Sequence, residues 1–351
     1  MKIVKTPKSR LHETDFDNLG FGDVFSDHMF SMVYDNGAWL PPEIIPFDNL
    51  SISPALSSLH YGQIIFEGLK AFRAHDGSIN IFRPEKHHER LNKSCRRLCI
   101  PEVDGETFLN GIKELITLDK DWVPRKRGYS LYIRPFIYGA DVYLGVKVSD
   151  TYRFLIITSP VGAYYKEGLN PVRLITSGEY VRAVKGGVGT AKTPGNYAAS
   201  LLPAYEANKK GFTQVLWLDA LERKYIEEVG TMNIFFLIDD ELITPPLEGT
   251  ILAGVTRDTV IHLARDWGMK VNERRLTIDE VLSAARGNRL KEVFGTGTAA
   301  VISPVGEIQH EQTLITINDG RIGSVSQKLY DEITGIQYGE KEDRFGWCYT
   351  I

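Results

Sequence analysis

Residues 185–197 read Lys-Gly-Gly-Val-Gly-Thr-Ala-Lys-Thr-Pro-Gly-Asn-Tyr. Four glycines, Gly186, Gly187, Gly189 and Gly195, flank Lys192 just ahead of a stretch with helical spacing. Glycine permits positive φ and close backbone approach, so a ligand can meet the lysine without side-chain crowding. An enclosed, partly desolvated lysine loses basicity, and its amine becomes a nucleophile near neutral pH. Two chemistries compete for such an amine: a phosphate-binding loop and a Schiff base with a carbonyl group. The phosphate loop needs glycine immediately before its lysine, whereas Ala191 stands there, and no clear βαβ unit begins at this run. Taken alone, the segment is equally well explained as an exposed loop, since loops are rich in Gly and Lys.

The surrounding elements alternate in type. Residues 131–138 alternate and are rich in β-formers, and residues 152–158 form a second, more buried strand. Between them, residues 139–150 are loop-like. Residues 85–98 and 107–118 carry helical spacing of apolar residues. The Gly/Pro-bearing run 159–171 marks a domain boundary. We therefore expect a smaller N-terminal α/β domain over 1–160, a linker over 161–172 and a larger domain over 173–351. In the second half, helices are expected over 196–209, 255–267 (stopped by Gly268), 277–286 and 323–335. Strands are expected over 213–218, 269–274 and 291–294, with a hairpin of 233–238 and 241–244 around Asp239-Asp240. The pattern implies α/β or α+β layering in both halves.

The totals set limits. A chain of 351 residues suggests two domains. The formal charge of −4 comes without a strongly basic segment, which argues against nucleic acid as a partner. The 16 Tyr and 16 Phe are enough to line an apolar pocket. Cys95, Cys99 and Cys348 are too few and too oddly placed for a disulfide framework, and suit reduced thiols in a cytoplasm. The first residues carry charges with no apolar stretch behind them, so no secretory signal is expected. No apolar run approaches the ~20 residues of a membrane span. His87, His88, Cys95 and Cys99 invite a zinc reading. The two cysteines are expected on one helix face, but the histidines stand seven or more residues away, and zinc sites use tighter pairs. No metal site is expected.

Ordered motifs run through most of the chain: Phe25-Ser26-Asp27-His28-Met29, His60-Tyr61-Gly62-Gln63, Phe66-Glu67-Gly68-Leu69-Lys70, Tyr132-Ile133-Arg134-Pro135, Lys192 with Gly195-Asn196-Tyr197, and Glu228-Val229-Gly230-Thr231-Met232-Asn233. Gly254-Val255-Thr256-Arg257, Gly295-Thr296-Gly297-Thr298-Ala299-Ala300 and Ile336-Gln337-Tyr338-Gly339 follow. In these the chain resembles the branched-chain aminotransferases. Their fold, shared with D-amino-acid aminotransferase and aminodeoxychorismate lyase, is the two-domain D-amino-acid-aminotransferase-like fold, fold type IV. The Phe-Glu-Gly and Ile-Gln-Tyr-Gly pieces point to the branched-chain subgroup. The related D-amino-acid aminotransferases and lyases are usually shorter and lack a long extension before Leu50.

The resemblance implies pyridoxal 5′-phosphate as cofactor, with Lys192 as its Schiff-base lysine and, once freed, the base at the substrate Cα. It implies that Glu228 keeps the cofactor's ring nitrogen protonated and that Tyr197 hydrogen-bonds its phenolic oxygen. Arg90, Val255, Thr256 and Thr298 are implied as phosphate holders. Forked guanidinium bonding and the amides of a helix N-terminus both suit that anion. Phe21, Tyr61, Phe66, Tyr132, Tyr197 and Thr231 are implied as walls of an apolar substrate pocket. The backbone of Thr298 and Ala299 would take the α-carboxylate, and Arg134 the side-chain carboxylate of glutamate, with Tyr61 orienting it. Each of these residues alone is as readily a core, turn or surface residue. The implied reaction moves an amino group from leucine, isoleucine or valine to 2-oxoglutarate. Size discrimination of only ~1–3 kcal/mol per methylene leads us to expect all three to react. The family is generally homodimeric, and Tyr164 and Tyr165 are expected to cap the neighbouring subunit's pocket.

Two departures stand out. Mammalian members carry a Cys-x-x-Cys after the Gly-Thr-Ala turn, where this chain has Ala300-Val301-Ile302-Ser303. That thiol switch is therefore not expected. Thr193-Pro194 follows the lysine where many relatives carry small or apolar residues.

Overall fold

The computed structural model describes residues 1–162 and 169–351, so Tyr164 and Tyr165 lie outside the described residues. The chain folds into two compact units of mixed α/β type. One comprises Met1–Lys166, Ala191–Pro194 and Gly335–Ile351, and the other Glu167–Thr190 and Gly195–Thr334.

The first unit is built on a 10-stranded sheet. Its centre pairs His28–Asp35, Tyr152–Val161, Ser130–Gly139 and Leu69–Arg73 in antiparallel register. Ser130–Gly139 shows why the sequence settles there. Leu131, Ile133 and Ile137 face a core shared with Phe30, Phe154, Leu91, Phe108 and Leu115, and the last three come from the helices Pro84–Arg97 and Gly105–Leu118. Period-two alternation sends Tyr132 and Arg134 to the opposite face. Asp104 starts the second helix by accepting a hydrogen bond from the Thr107 amide at 2.8 Å. The strand Cys348–Thr350 returns to the edge of this sheet against Ile79–Phe82.

The second unit carries a 9-stranded mixed sheet. Val172–Thr176 lies parallel to both Gln214–Leu218 and Val301–His310. Leu290–Gly297 runs antiparallel between Val301–His310 and Asn233–Ile238. The hairpin Asn233–Ile238 and Glu241–Thr244 turns at Asp239, whose φ is +51°, as expected from the sequence. The helix Val255–Asp266 ends ahead of Gly268 at φ +76°, and Thr277 caps Ile278–Arg286 through the Glu280 amide.

Three expectations are corrected. The helix expected over 196–209 is two helices, Pro194–Ala198 and Leu201–Lys209. Pro203 lacks the N–H that a continuous helix would bond to Ala199, so the helix restarts where Pro203 falls in its first turn. Residues 159–161, read as part of a linker, complete the strand Tyr152–Val161. Cys95 and Cys99 do not share a helix face. The helix ends at Arg97, Cys99 is exposed at φ +55°, and Cys95 is buried in the core.

Candidate active site

Candidate residues gather in two clusters, one in each unit. In the first, the backbone around Lys192 is pinned on both sides. Its N–H donates to Ser94 Oγ at 2.9 Å, and its carbonyl accepts from the Phe66 amide at 3.0 Å. Thr193 Oγ1 donates to the Ile64 carbonyl at 2.8 Å, and Pro194 then opens the short helix, which gives the Thr-Pro pair a positioning role. The Lys192 ammonium lies over the Phe66 ring, 5.1 Å from its centroid. Burial, reinforced by the Arg90 cation and opposed by Glu67, pushes its pKa down to about 8.

Arg90 is not a surface residue of its helix. It is buried, and its Nε and Nη2 donate to Glu67 at 2.7 and 2.9 Å. Glu67 is inaccessible to solvent and also accepts from His87 Nδ1 at 2.7 Å. Burial alone would push the Glu67 carboxyl up. Arg90 and His87 outweigh it and hold the carboxyl well below the usual carboxylate range. Arg134 Nη2 donates to Tyr132 Oη at 3.0 Å, and its guanidinium lies over the rings of Phe66 and Tyr132. Phe21 packs on Tyr132 with centroids 5.1 Å apart. Gly68 makes room for this arrangement, since a Cβ there would strike the Tyr132 hydroxyl. The structure thus brings together Lys192, Phe66, Arg90, Tyr132, Arg134 and Phe21. Tyr61 is elsewhere: it is exposed, at the end of Ser57–Tyr61, with His60 as its ring neighbour.

In the second unit, Glu228 is buried on the strand Ile226–Val229. Its Oε2 is 2.5 Å from Arg182 Nε, and its Oε1 accepts from Asn233 Nδ2 at 2.9 Å. It is therefore held as a carboxylate, not solvated in a turn. Asn233 also donates to the Leu252 carbonyl, fixing the approach to the helix Val255–Asp266. That helix starts at Gly254 with no side-chain cap, and its first residues, Val255 and Thr256, are buried. Gly254 is required there because a Cβ would strike Asn233 Oδ1. Thr298 and Ala299 follow the strand Leu290–Gly297 in a partly buried turn. Just before them, Thr296 Oγ1 is buried without a hydrogen-bond partner among the described residues. Thr231 is exposed in the turn after Ile226–Val229, and Tyr197 is partly buried on Pro194–Ala198.

Sequence reasoning missed Glu67, His87, Ser94, Arg182 and Asn233 as positioning groups. Glu67 and Asn233 stood inside motifs, which was a usable signal. His87, Ser94 and Arg182 carried none, because their partners are distant in sequence or lie in irregular backbone. Among the described residues no group of three or more His, Cys, Asp or Glu side chains could hold a metal ion.

Residues 65–308 match the family model described as "Amino-transferase class IV". The chain is 55% identical over 350 residues to "Branched-chain-amino-acid aminotransferase 2" of Bacillus subtilis (strain 168), covering 99% of this chain and 96% of that protein. It is 52% identical to "Branched-chain-amino-acid transaminase 1" of the same organism, covering 100% and 99%. Among solved structures, the branched-chain amino acid aminotransferase of Escherichia coli superimposes with a TM-score of 0.73 at 29% identity, covering 90% of this chain and 98% of that one. The branched-chain aminotransferase of the thermophilic archaeon Thermoproteus uzoniensis, solved with norvaline, does so with 0.76 at 26%, covering 92% and 99%. On full-length identity, a matching family model and shared architecture, the chain belongs to the branched-chain-amino-acid aminotransferases of the class IV amino-transferase family.

Proposed function

We propose that the chain transfers the amino group of leucine, isoleucine or valine to 2-oxoglutarate, giving the branched 2-oxo acid and glutamate, with pyridoxal 5′-phosphate as cofactor. The observation that carries this reading is Lys192 itself. Its backbone is fixed from two sides, and its amine is shifted to about 8, where about a tenth of it is the free, nucleophilic base at pH 7.

The residues present suit the cofactor's chemistry. Glu228, paired with Arg182, is an ionised carboxylate able to keep a ring nitrogen protonated. An uncapped helix start at Val255 and Thr256, the orphaned Thr296 hydroxyl, Thr298 and Arg90 offer donors to a phosphate. Tyr197 would donate to the phenolic oxygen. When bound, pyridoxal phosphate supplies the electron sink that makes the substrate Cα–H acidic. Lys192 Nζ would take the proton from the substrate Cα and pass it to the cofactor's aldehyde-derived carbon, and Phe66 beneath it limits its access to water. Phe21, Phe66 and Tyr132 give a branched side chain apolar contact without hydrogen-bond demand. Thr231 would complete that wall, and the backbone of Thr298 and Ala299 would take the α-carboxylate. Arg134, whose guanidinium is oriented by Tyr132, would receive the side-chain carboxylate of glutamate.

The assembly we propose is a homodimer. Leu59, Tyr61, Val142, Leu144 and Val146 are exposed, and a Leu56–Val142 bridge and the Ser57 amide to the Asp141 carbonyl join their segments. Exposed apolar side chains on joined segments suit contact with a second copy. We place the enzyme in the cytoplasm on its cysteine usage. No helix among the described residues is long and apolar enough to cross a membrane.

An absorbance spectrum of the purified protein tests the reading. A yellow protein whose visible band changes on adding leucine is expected. A colourless protein that stays so with added pyridoxal phosphate contradicts it.

A further inference from the structure

Glu227 and Glu228 are consecutive on one strand, so their side chains leave it on opposite faces. Both are buried, yet their surroundings differ. Glu228 has the Arg182 guanidinium at 2.5 Å and the Asn233 amide at 2.9 Å. Glu227 has one hydroxyl: Thr250 Oγ1 donates to its Oε1 at 2.6 Å. Its Oε2 is buried with no hydrogen-bond partner among the described residues. Thr250 links the two sides, because its carbonyl accepts from Arg182 Nη2 while its hydroxyl serves Glu227. One guanidinium thus stands close to two buried carboxyls. Leaving both ionised would bury one uncompensated charge, which a single proton removes.

We propose that Glu227 is a positioning residue held as the neutral acid at physiological pH, so that the Arg182 guanidinium balances the charge of Glu228 and not that of a second carboxylate. The charged groups around Glu227 agree with that assignment. Asp219 is near and is fixed as a carboxylate by the amides of Leu221, Glu222, Lys224 and Tyr225. Arg275 is the nearer opposing cation apart from Arg182, but its Nε is engaged by Glu248 at 2.9 Å. Glu227 lines a cavity together with Lys185, Asp219, Glu222 and Arg275. Burial, with Asp219 adding, pushes the Glu227 carboxyl up despite Thr250, Arg182 and Arg275. The protonation state belongs to the protein without cofactor. Its consequence for cofactor binding rests on the reading of Glu228 given above.

The decisive measurement is the infrared difference spectrum of the cofactor-free protein, wild type minus Glu227→Gln, at pH 7. A carbonyl stretch of an un-ionised carboxylic acid is expected, and carboxylate bands alone would overturn the proposal. Should Glu227→Gln not fold, Thr250→Val replaces it. Loss of one hydrogen bond must then shift the acid band, and an unshifted band overturns the proposal. A second arm reads pyridoxal phosphate affinity of the refolded apo-protein. Glu227→Gln, an isostere of the neutral acid, is expected to bind within about twofold of wild type. Glu228→Gln should weaken binding at least about tenfold. Equal weakening by both variants would mean that Glu227 works as a carboxylate. If wild type binds no pyridoxal phosphate, the reading of Glu228 fails, and the infrared arm still decides the state of Glu227.

Discussion

At the scale of single residues, the site keeps charges where water would not. Lys192 has a pKa of about 8 in the folded chain against 10.5 for an ordinary lysine. Below about 8 the unfolded chain therefore holds a proton more favourably than the folded one. Stability rises with pH between these values, and the penalty is gone above the unfolded pKa. Lys192→Met should make the cofactor-free protein more stable at pH 7 by up to about 3 kcal/mol, an advantage that fades as pH rises from 8 toward 10.5. Urea unfolding at several pH values checks this, and equal or lower stability of the variant at pH 7 contradicts it. Glu67 behaves oppositely. Its depressed pKa contributes stability that is present above the unfolded glutamate value and is lost as pH falls through and below it. Glu67→Gln leaves the Arg90 guanidinium buried and uncompensated, so a loss of about 3–5 kcal/mol at pH 7 is expected. The gap should narrow in acid. Arg134→Ala should lower kcat/KM for glutamate about tenfold or more beyond its effect on leucine, through loss of a charged hydrogen bond. Equal losses for both substrates would remove that role. The glycines marked Lys192 without separating it from an exposed loop, and strand alternation put Tyr132 and Arg134 on one face; the roles of all three came from the resemblance. Glu67 stood inside a motif, but its pairing with Arg90, like that of Arg182 with Glu228, could not be read, because a buried ion pair has no periodicity, only a partner found by folding.

At the scale of elements, what repeated in the sequence was legible. The alternation over 131–138 and the hairpin at Asp239 reappear in Ser130–Gly139 and the Asn233–Ile238 pair. The apolar spacing over 85–98 and 107–118 reappears in two helices that bury Leu91, Phe108, Ile112 and Leu115. His28–Asp35 was not legible, because its first five residues are buried on both faces and show no alternation. Val301–His310 hid behind Ser303, Pro304 and Gly306, residues that read as a turn. The loop over residues 139–151 carries its own consequence. Its exposed Val142, Leu144 and Val146 are the residues on which the proposed dimer surface rests. Leu144→Asp should shift the protein from dimer to monomer in sedimentation equilibrium at micromolar concentration. A wild-type protein that is already monomeric there would remove this surface from the account.

At the scale of the whole molecule, the chain does not divide at one point. Ala191–Pro194, which lies between two stretches of the second unit in sequence, and Gly335–Ile351, which follows it, belong with the first unit. Composition gives no hint of this, because the bonds responsible, Phe66 to Lys192 and Ile79 to Ile351, join residues far apart in sequence. Lys192 thus groups with the sheet of the first unit and not with the residues of the second unit on either side of it in sequence. Lys70, also buried and pushed down to about 8 by burial, faces the same side of that sheet as Tyr132 and is the natural competitor for a carbonyl reagent. Borohydride reduction of the protein loaded with pyridoxal phosphate, followed by peptide mapping, separates the two. A single phosphopyridoxyl mark on Lys192 is the predicted result. A mark on Lys70, on surface lysines alone, or on no lysine would contradict the central claim.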